Sequence, residues 1–183
     1  MNVEMDFEEK TMKTENVYKG KMLNLRIDTV ELPDKKYSKR EIVEHPGSVA
    51  IVPITEDNEI ILVRQYRKAV ESNLLEIPAG KLEVNEEPKE TAIRELKEET
   101  GIKAKKLEYI TEFYTSPGFS NEKMYLFLAM DLSMDVLEPA DDEYIEITKV
   151  KIDKLANMIK KGEILDSKTM IGIYMAMEHL ESK

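Results

Sequence analysis

The chain is expected to adopt an α+β fold, and three observations carry that expectation. Short alternating or wholly apolar segments, the mark of strands, fill most of residues 17–80. A helix-length segment bounded by Pro88 and Gly101 follows them. After a second run of strands, two more helical segments close the chain. A length of 183 residues suffices for one well-cored domain with a small appended element.

In chain order, residues 1–15 are polar and charged and are expected to fray. In "LNLRIDTVEL", Leu23, Leu25, Ile27 and Thr29 alternate with Asn24, Arg26 and Asp28, the pattern of a half-buried strand. "PDKKYS" is a turn and "KREIVEH" a returning strand. "HPG" at 45–47 breaks the pattern and separates an N-terminal element, 1–46, from a main domain, 47–183. "SVAIVPI" and "EIILVRQYR" flank "TEDN" and read as a β-hairpin, and "NLLEIPAG" reads as one short strand ending at Gly80. Pro88 suits the first helical position, where its missing N–H costs nothing, and Gly101 suits a left-handed stop, giving a helix over 88–100.

The strands "KLEYITEFYTS" and "KMYLFLAMDL" flank the loop "PGFSNE", and an acidic loop "EPADDE" leads into the strand "YIEITKVKI". Helices are expected at about 153–161, ended by Gly162, and at about 167–181, capped by Asp166 or Ser167. Met170, Ile173, Tyr174, Met177 and Leu180 share one face of the last helix and read as core.

Charge narrows the partners. With 27 Lys+Arg against 37 Asp+Glu the net charge is −10, which disfavours nucleic acid and anionic membranes as general partners. A small phosphorylated ligand remains open if a metal or a local arginine offsets the repulsion. Cysteine is absent, so disulfides, thiolate nucleophiles and cysteine-based zinc sites are excluded. The acidic start "MNVEMDFEEK" does not read as a signal peptide, and no apolar stretch is long enough to cross a bilayer; the expectation is a cytoplasmic protein.

The segment "RELKEETGI" at 94–102 crowds three carboxylates into one stretch of helix. At about 100° per residue, Glu95, Glu98 and Glu99 share one arc, while Ala92, Ile93, Leu96 and Thr100 occupy the adjacent arc that should pack on the sheet. Like charges at this spacing cost about 0.2–0.5 kcal/mol per pair, a penalty a solvated face could carry. The register extends further: Gly80, Glu86, Arg94-Glu95, Leu96, Glu98-Glu99, Gly101 and Ile102. This series resembles the box of the Nudix hydrolases, a glycine, a glutamate, then R-E-aliphatic-x-E-E-x-G-aliphatic, at every specified position.

The resemblance implies the Nudix fold, a mixed β-sheet sandwiched between helices, with a small N-terminal antiparallel sheet in front of it. It implies hydrolysis of a phosphoanhydride with Mg²⁺, for which Mn²⁺ can substitute. Water must attack a phosphorus surrounded by anionic oxygens, and a hard cation offsets that charge. Glu95 and Glu99 are the implied principal ligands, with Glu98 supporting them and the Ala79 carbonyl adding another oxygen. Arg94 is expected to orient a carboxylate, and Glu86 to fix the loop or act in the outer sphere. The general base is expected from the acidic loop: Glu143, just before "YIEI", is favoured, and Asp141 is the alternative that would leave Glu143 as a metal ligand.

"RQYRKAVESNLLEIPAG" before the box and Pro117, fifteen residues beyond it, resemble the ADP-ribose pyrophosphatase group. That likeness implies a nucleotide-sugar substrate, ADP-ribose, cleaved to AMP and ribose 5-phosphate. Arg67 would contact the diphosphate, and Ser116, Pro117 and Gly118 with Glu122 would wall the distal ribose. In relatives the N-terminal strands exchange across a homodimer and complete the adenosine pocket, and Arg40 and Glu41 match positions reaching the partner's ligand. Relatives usually place a glycine in the turn that reads "PDKKYS" here. Arg64 reads as a further contact or as the partner of an acid, and Glu76 as a substrate contact or a strand cap. His45 and His179 read as a strand end and an exposed helix end. The alternatives are another nucleoside diphosphate sugar such as GDP-mannose, or a non-catalytic nucleotide-sugar-binding module.

Overall fold

The computed structural model describes residues 7–135 and 144–182. The chain divides into two units, residues 1–46 with 114–123 and residues 47–113 with 124–183.

The first unit is a three-stranded antiparallel sheet in the order β1 (Lys10–Lys19), β2 (Asn24–Glu31), β3 (Tyr37–Glu44). From Lys10 onward β1 corrects the expectation of fraying over residues 1–15: it pairs with β2 from Lys10↔Glu31 to Lys19↔Asn24. All ten of its residues are exposed, so no polar–apolar alternation betrays the strand, and the ladder of backbone hydrogen bonds holds it instead. The turn before β3 places Lys35 at φ 67°, the left-handed conformation that glycine adopts at no steric cost. Residues 114–123 join this unit through Val43, whose N–H donates to the Phe119 carbonyl at 2.8 Å and whose carbonyl accepts from Asn121 N at 3.1 Å.

The second unit carries β4 (Ser48–Pro53), β5 (Glu59–Arg67), β6 (Ser72–Glu76), β7 (Ala79–Lys81), α1 (Pro88–Thr100), β8 (Ile102–Tyr114), β9 (Lys123–Met134), β10 (Glu146–Lys151), α2 (Ile152–Lys160) and α3 (Ser167–Glu181). One sheet runs β7-β4-β9-β8 and the other β10-β5-β6. β4 is parallel to β9 and antiparallel to β7, so the larger sheet is mixed. β4 is buried at every residue. Its Val49 and Ile51 join Ala92 and Leu96 of α1 in one core, and its Ala50 and Val52 join Leu155 of α2 and Ile173 and Ala176 of α3 in another. Period-two alternation thus splits a wholly buried strand between helices on both faces. Gly172 lets α3 approach closely: a Cβ there would fall 2.9 Å from both Ile77 Cδ1 and Val52 Cγ2.

The hairpin expected from "SVAIVPI" and "EIILVRQYR" is corrected. The turn closes, with Thr55 N donating to the Glu59 carbonyl at 2.9 Å. Both edges of β4 are already taken by β7 and β9, so β5 pairs with β6 and β10, and the two arms meet at an isolated Ile54↔Ile60 bridge beside that turn. "NLLEIPAG" is likewise not one strand: Pro78 cannot donate to a ladder, and β6 and β7 go to different sheets. Ile93, expected in the packed arc of α1, is 52% exposed. Tyr174 is also largely exposed, whereas His179 is partly buried with its Nε2 enclosed and unpartnered among the described residues.

Candidate active site

Helix α1 begins with Pro88 and stops at Gly101, whose φ of 64° and N–H bond to the Lys97 carbonyl close the last turn. Its acidic face lies against β7. A Cβ placed on Gly80 would fall 1.9 Å from the Glu95 carboxyl carbon and 2.0 Å from its Oε1, so only glycine leaves room for that carboxylate. One residue earlier, the Ala79 N–H donates to Glu99 Oε2 at 3.0 Å. Glu99 is only 4% exposed. Two carboxylates one turn apart are therefore seated on two consecutive backbone positions.

Arg94 offsets the resulting repulsion. Its Nη1 donates to Glu95 Oε1 at 2.7 Å and to Glu98 Oε2 at 3.0 Å. Its Nε and Nη2 donate to the two oxygens of Glu86 at 3.0 and 2.9 Å, the paired geometry a guanidinium fork favours. Glu86 also accepts from Glu83 N at 3.3 Å, which ties the loop ahead of the helix to the same arginine. The Arg94 hydrogen bonds hold the Glu86 carboxyl at about 2, below its ordinary 4.5, and Glu86 in turn pushes the Arg94 pKa up.

A second charged cluster lies at the ends of β5 and β6. Glu76, 1% exposed, accepts from Arg67 Nε and Nη2, each at 2.8 Å. Lys168 in the first turn of α3 donates to the same carboxylate. Burial pushes the Glu76 carboxyl up, but the Arg67 hydrogen bonds together with Lys168 outweigh it and hold it below the usual carboxylate range. Arg64 stands 3.8 Å from Glu146 at an exposed position.

The residues expected to bind substrate from 1–46 and 114–123 meet within the first unit. Arg40, Glu41, Pro117 and Gly118 line one cavity of about 500 Å³, with Arg26 and Phe119 among its other walls. Arg40 is held by Glu9 and by Ser38 Oγ at 2.8 Å. The Ser116 carbonyl accepts from Phe119 N and Ser120 N at 3.1 and 2.9 Å, folding the turn. Glu122 accepts from Thr115 Oγ1 at 2.8 Å, and its other oxygen is 3.7 Å from His45 Nδ1. Glu143 and Asp141 lie outside the described residues.

Among the described residues no three acidic or imidazole side chains converge into a ready cation cage. The donor set nevertheless fits the divalent cation that the box implies. Mg²⁺ takes only one or two carboxylates and completes its octahedron with waters and substrate oxygens. Glu95, over Gly80 where no Cβ intervenes, and Glu99, beside the Ala79 N–H, could supply hard oxygen ligands.

Lys168 escaped the reading of the sequence, although it carried a signal. A cation in the first turn of a helix opposes the macrodipole, so its presence there calls for a nearby anion. Glu76 and the cap residue Asp166, 3.1 Å from Lys168 Nζ, are those anions.

A carboxylate held below its unfolded value adds stability that is complete above about pH 4.5 and is lost as pH falls towards about 2. Glu86→Gln should therefore be less stable than wild type to urea at neutral pH in metal-free buffer. The gap should narrow below about pH 4.5 and close near pH 2. A gap independent of pH would contradict the Arg94–Glu86 pairing.

A NUDIX domain model matches residues 44–170. The ADP-ribose pyrophosphatase of Bacillus subtilis (strain 168) is 48% identical over 168 residues, spanning 91% of each chain. The methanol dehydrogenase activator of Bacillus methanolicus is 46% identical over 169 residues, again 91% of each chain. A crystal structure of an ADP compounds hydrolase shares the fold, with a TM-score of 0.85 at 23% identity over 96% of this chain and 95% of its own. With the domain match running through both core sheets and relatives almost half identical over nine-tenths of its length, this chain belongs to the Nudix family.

Proposed function

We propose that the protein hydrolyses the diphosphate bond of ADP-ribose, giving AMP and ribose 5-phosphate, with a divalent cation, Mg²⁺ by preference. The seating of Glu95 and Glu99 on Gly80 and Ala79 carries the chemical half of this reading. The substrate half is supported by the 48% identical relative, an ADP-ribose pyrophosphatase. In the reaction a water oxygen bonds to one phosphorus, the bridging P–O bond breaks, and the water proton passes to a base. The cation supplies charge neutralisation and lowers the pKa of the attacking water. Glu95, Glu99 and the Ala79 carbonyl would hold it, Glu98 would support them, and Arg94 keeps the carboxylates oriented.

Arg67 has five N–H donors and gives two of them to Glu76, so three remain for diphosphate oxygens. Arg40, Glu41, Ser116, Pro117, Gly118 and Glu122 take the adenosine and distal ribose, consistent with the shared cavity that four of them line. Residues 47–183 then form the catalytic domain, and residues 1–46 serve dimerisation and the adenosine pocket.

The reading is tested by a panel of ADP-ribose, GDP-mannose, other nucleotide sugars, dinucleoside polyphosphates and dNTPs with Mg²⁺, with products identified. ADP-ribose should give the highest kcat/KM; preference for another substrate overturns the assignment. Glu99→Gln keeps an acceptor for the Ala79 N–H but loses the charge, so it should fold and lose about 10²–10³ in kcat. Near wild-type turnover would remove Glu99 from the cation site.

Box carboxylates holding a cation are poor proton acceptors, because its field stabilises their ionised form. Glu143 is the proposed base, so Glu143→Gln should lower kcat by about 10²–10⁴ with KM little changed. Asp141→Asn should cost much less. The reverse ranking, with Glu143→Gln mainly weakening metal affinity, swaps the two roles.

The exposed β1, with Met12, Val17 and Tyr18 each at least half open to solvent, suits burial against a second copy. Sedimentation should find a homodimer, and deletion of residues 1–46 should abolish both dimerisation and tight substrate binding. A soluble, monomeric and fully active truncation contradicts this.

A further inference from the structure

Glu76 is a charge in the interior of the second unit. A carboxylate there loses its hydration, and a buried ion cluster contributes little stability beyond what apolar side chains of the same volume would give. Stability alone therefore does not account for an interior Glu76 paired with two cations. The geometry around it is asymmetric. On one side everything is fixed: the next residue, Ile77, donates its N–H to Thr169 Oγ1 at 2.9 Å, and Thr169 in turn donates through N and Oγ1 to Asp166 at 2.9 and 2.6 Å. Lys168, between those two residues, is buried against the carboxylate. On the other side stands Arg67, whose side chain is 40% exposed while its Nε and Nη2 are held at 2.8 Å. One edge of the guanidinium is thus locked to a rigid interior anchor, and its remaining donors are left for solvent or a ligand. Glu99 also acts on the Arg67 charge, which brings this guanidinium into the field of the box helix.

We propose that Glu76 is a positioning residue: anchored by Lys168 and the first turn of α3, its carboxylate holds the Arg67 guanidinium in the one orientation that presents its free donors to the substrate diphosphate. This rests on the reading of Arg67 as the diphosphate contact. A long arginine side chain otherwise loses many rotamers on binding, and a preformed fork removes that cost before the ligand arrives. Because the contact is to oxygens present in both ground and transition states, loss of positioning raises KM more than it lowers kcat.

A double-mutant cycle in the full chain tests this, with ADP-ribose kinetics, equilibrium binding of α,β-methylene ADP-ribose, and melting temperature as readouts. Arg67→Ala and Glu76→Gln should each raise KM and the analogue Kd about tenfold or more, with kcat within about threefold. Adding Glu76→Gln to Arg67→Ala should change neither constant by more than about twofold, because Glu76 acts only through the missing guanidinium. Should Glu76→Gln, which leaves Lys168 with Asp166 as its anion, unfold the chain, Glu76→Gln with Lys168→Met removes both buried charges and should show the same rise in KM in a folded protein.

An equal KM rise from Glu76→Gln in both backgrounds overturns the positioning role while leaving the Arg67 contact standing. Unchanged KM and Kd in Arg67→Ala overturn the Arg67 contact itself, and the positioning role with it. A Glu76→Gln effect seen only in melting temperature, or only in kcat, also overturns the proposal.

Discussion

The five residues Glu76–Gly80 are held one by one, and the site depends on that restraint. Glu76 is bound by Arg67 and Lys168, and Ile77 N by Thr169. The Pro78 carbonyl accepts from Ile51 N at 2.9 Å, Ala79 N donates to Glu99, and Gly80 lies under Glu95. These partners come from β5, α3, β4 and α1, so one short turn registers four elements against each other. A turn fixed this way presents a defined backbone to the carboxylates of α1. Precision of that kind is what a cation site needs from its scaffold.

Electrostatics explain why the same turn gathers so many charges. Glu95, Glu98 and Glu99 repel each other along one helix face, and Arg94 counters them while gripping Glu86. The arginine takes the place neither of a ligand nor of a core residue; it sets the spacing of the acids around it. At the other end of the turn the arrangement is inverted, with one buried acid between two cations. Carboxylates able to hold a cation and guanidinium donors open to an anion are thus laid out from the two ends of a single segment, a polarity suited to a metal–diphosphate ligand.

Much of this was legible in the residues themselves. Pro88 and Gly101 marked α1 because each has a backbone requirement that few residues meet, and the box register located the acids on it. Gly80 was legible as part of the box, but its reason, the missing Cβ under Glu95, arises only when α1 packs on β7. Other features were hidden for physical reasons. β1 is exposed along its length, so its strand character resides in backbone pairing and not in side-chain pattern. β4 and β5 looked like a hairpin because their turn is local, whereas their partners β7, β9, β6 and β10 are set by tertiary packing. Ile93 and Glu99 exchanged expected places, because helical arcs predict a face but not that a carboxylate will be drawn inward by a backbone N–H. Lys168 is ninety-two residues from Glu76, and no local pattern pairs them.

The central claim is that the α1 carboxylates form a cation site because the backbone at Ala79–Gly80 lets them sit against it. Gly80→Ala tests this most directly. The atoms nearest the new methyl are the carboxyl carbon and oxygens of Glu95, the far end of a long side chain, so it should move the carboxylate and leave the fold intact. Mn²⁺ binding followed by electron paramagnetic resonance, with melting temperature measured alongside, reads both effects. Affinity should fall about tenfold or more, equivalent to at least about 1.4 kcal/mol, at an unchanged melting temperature. Equal Mn²⁺ affinity in Gly80→Ala and wild type would contradict the claim and place the cation elsewhere.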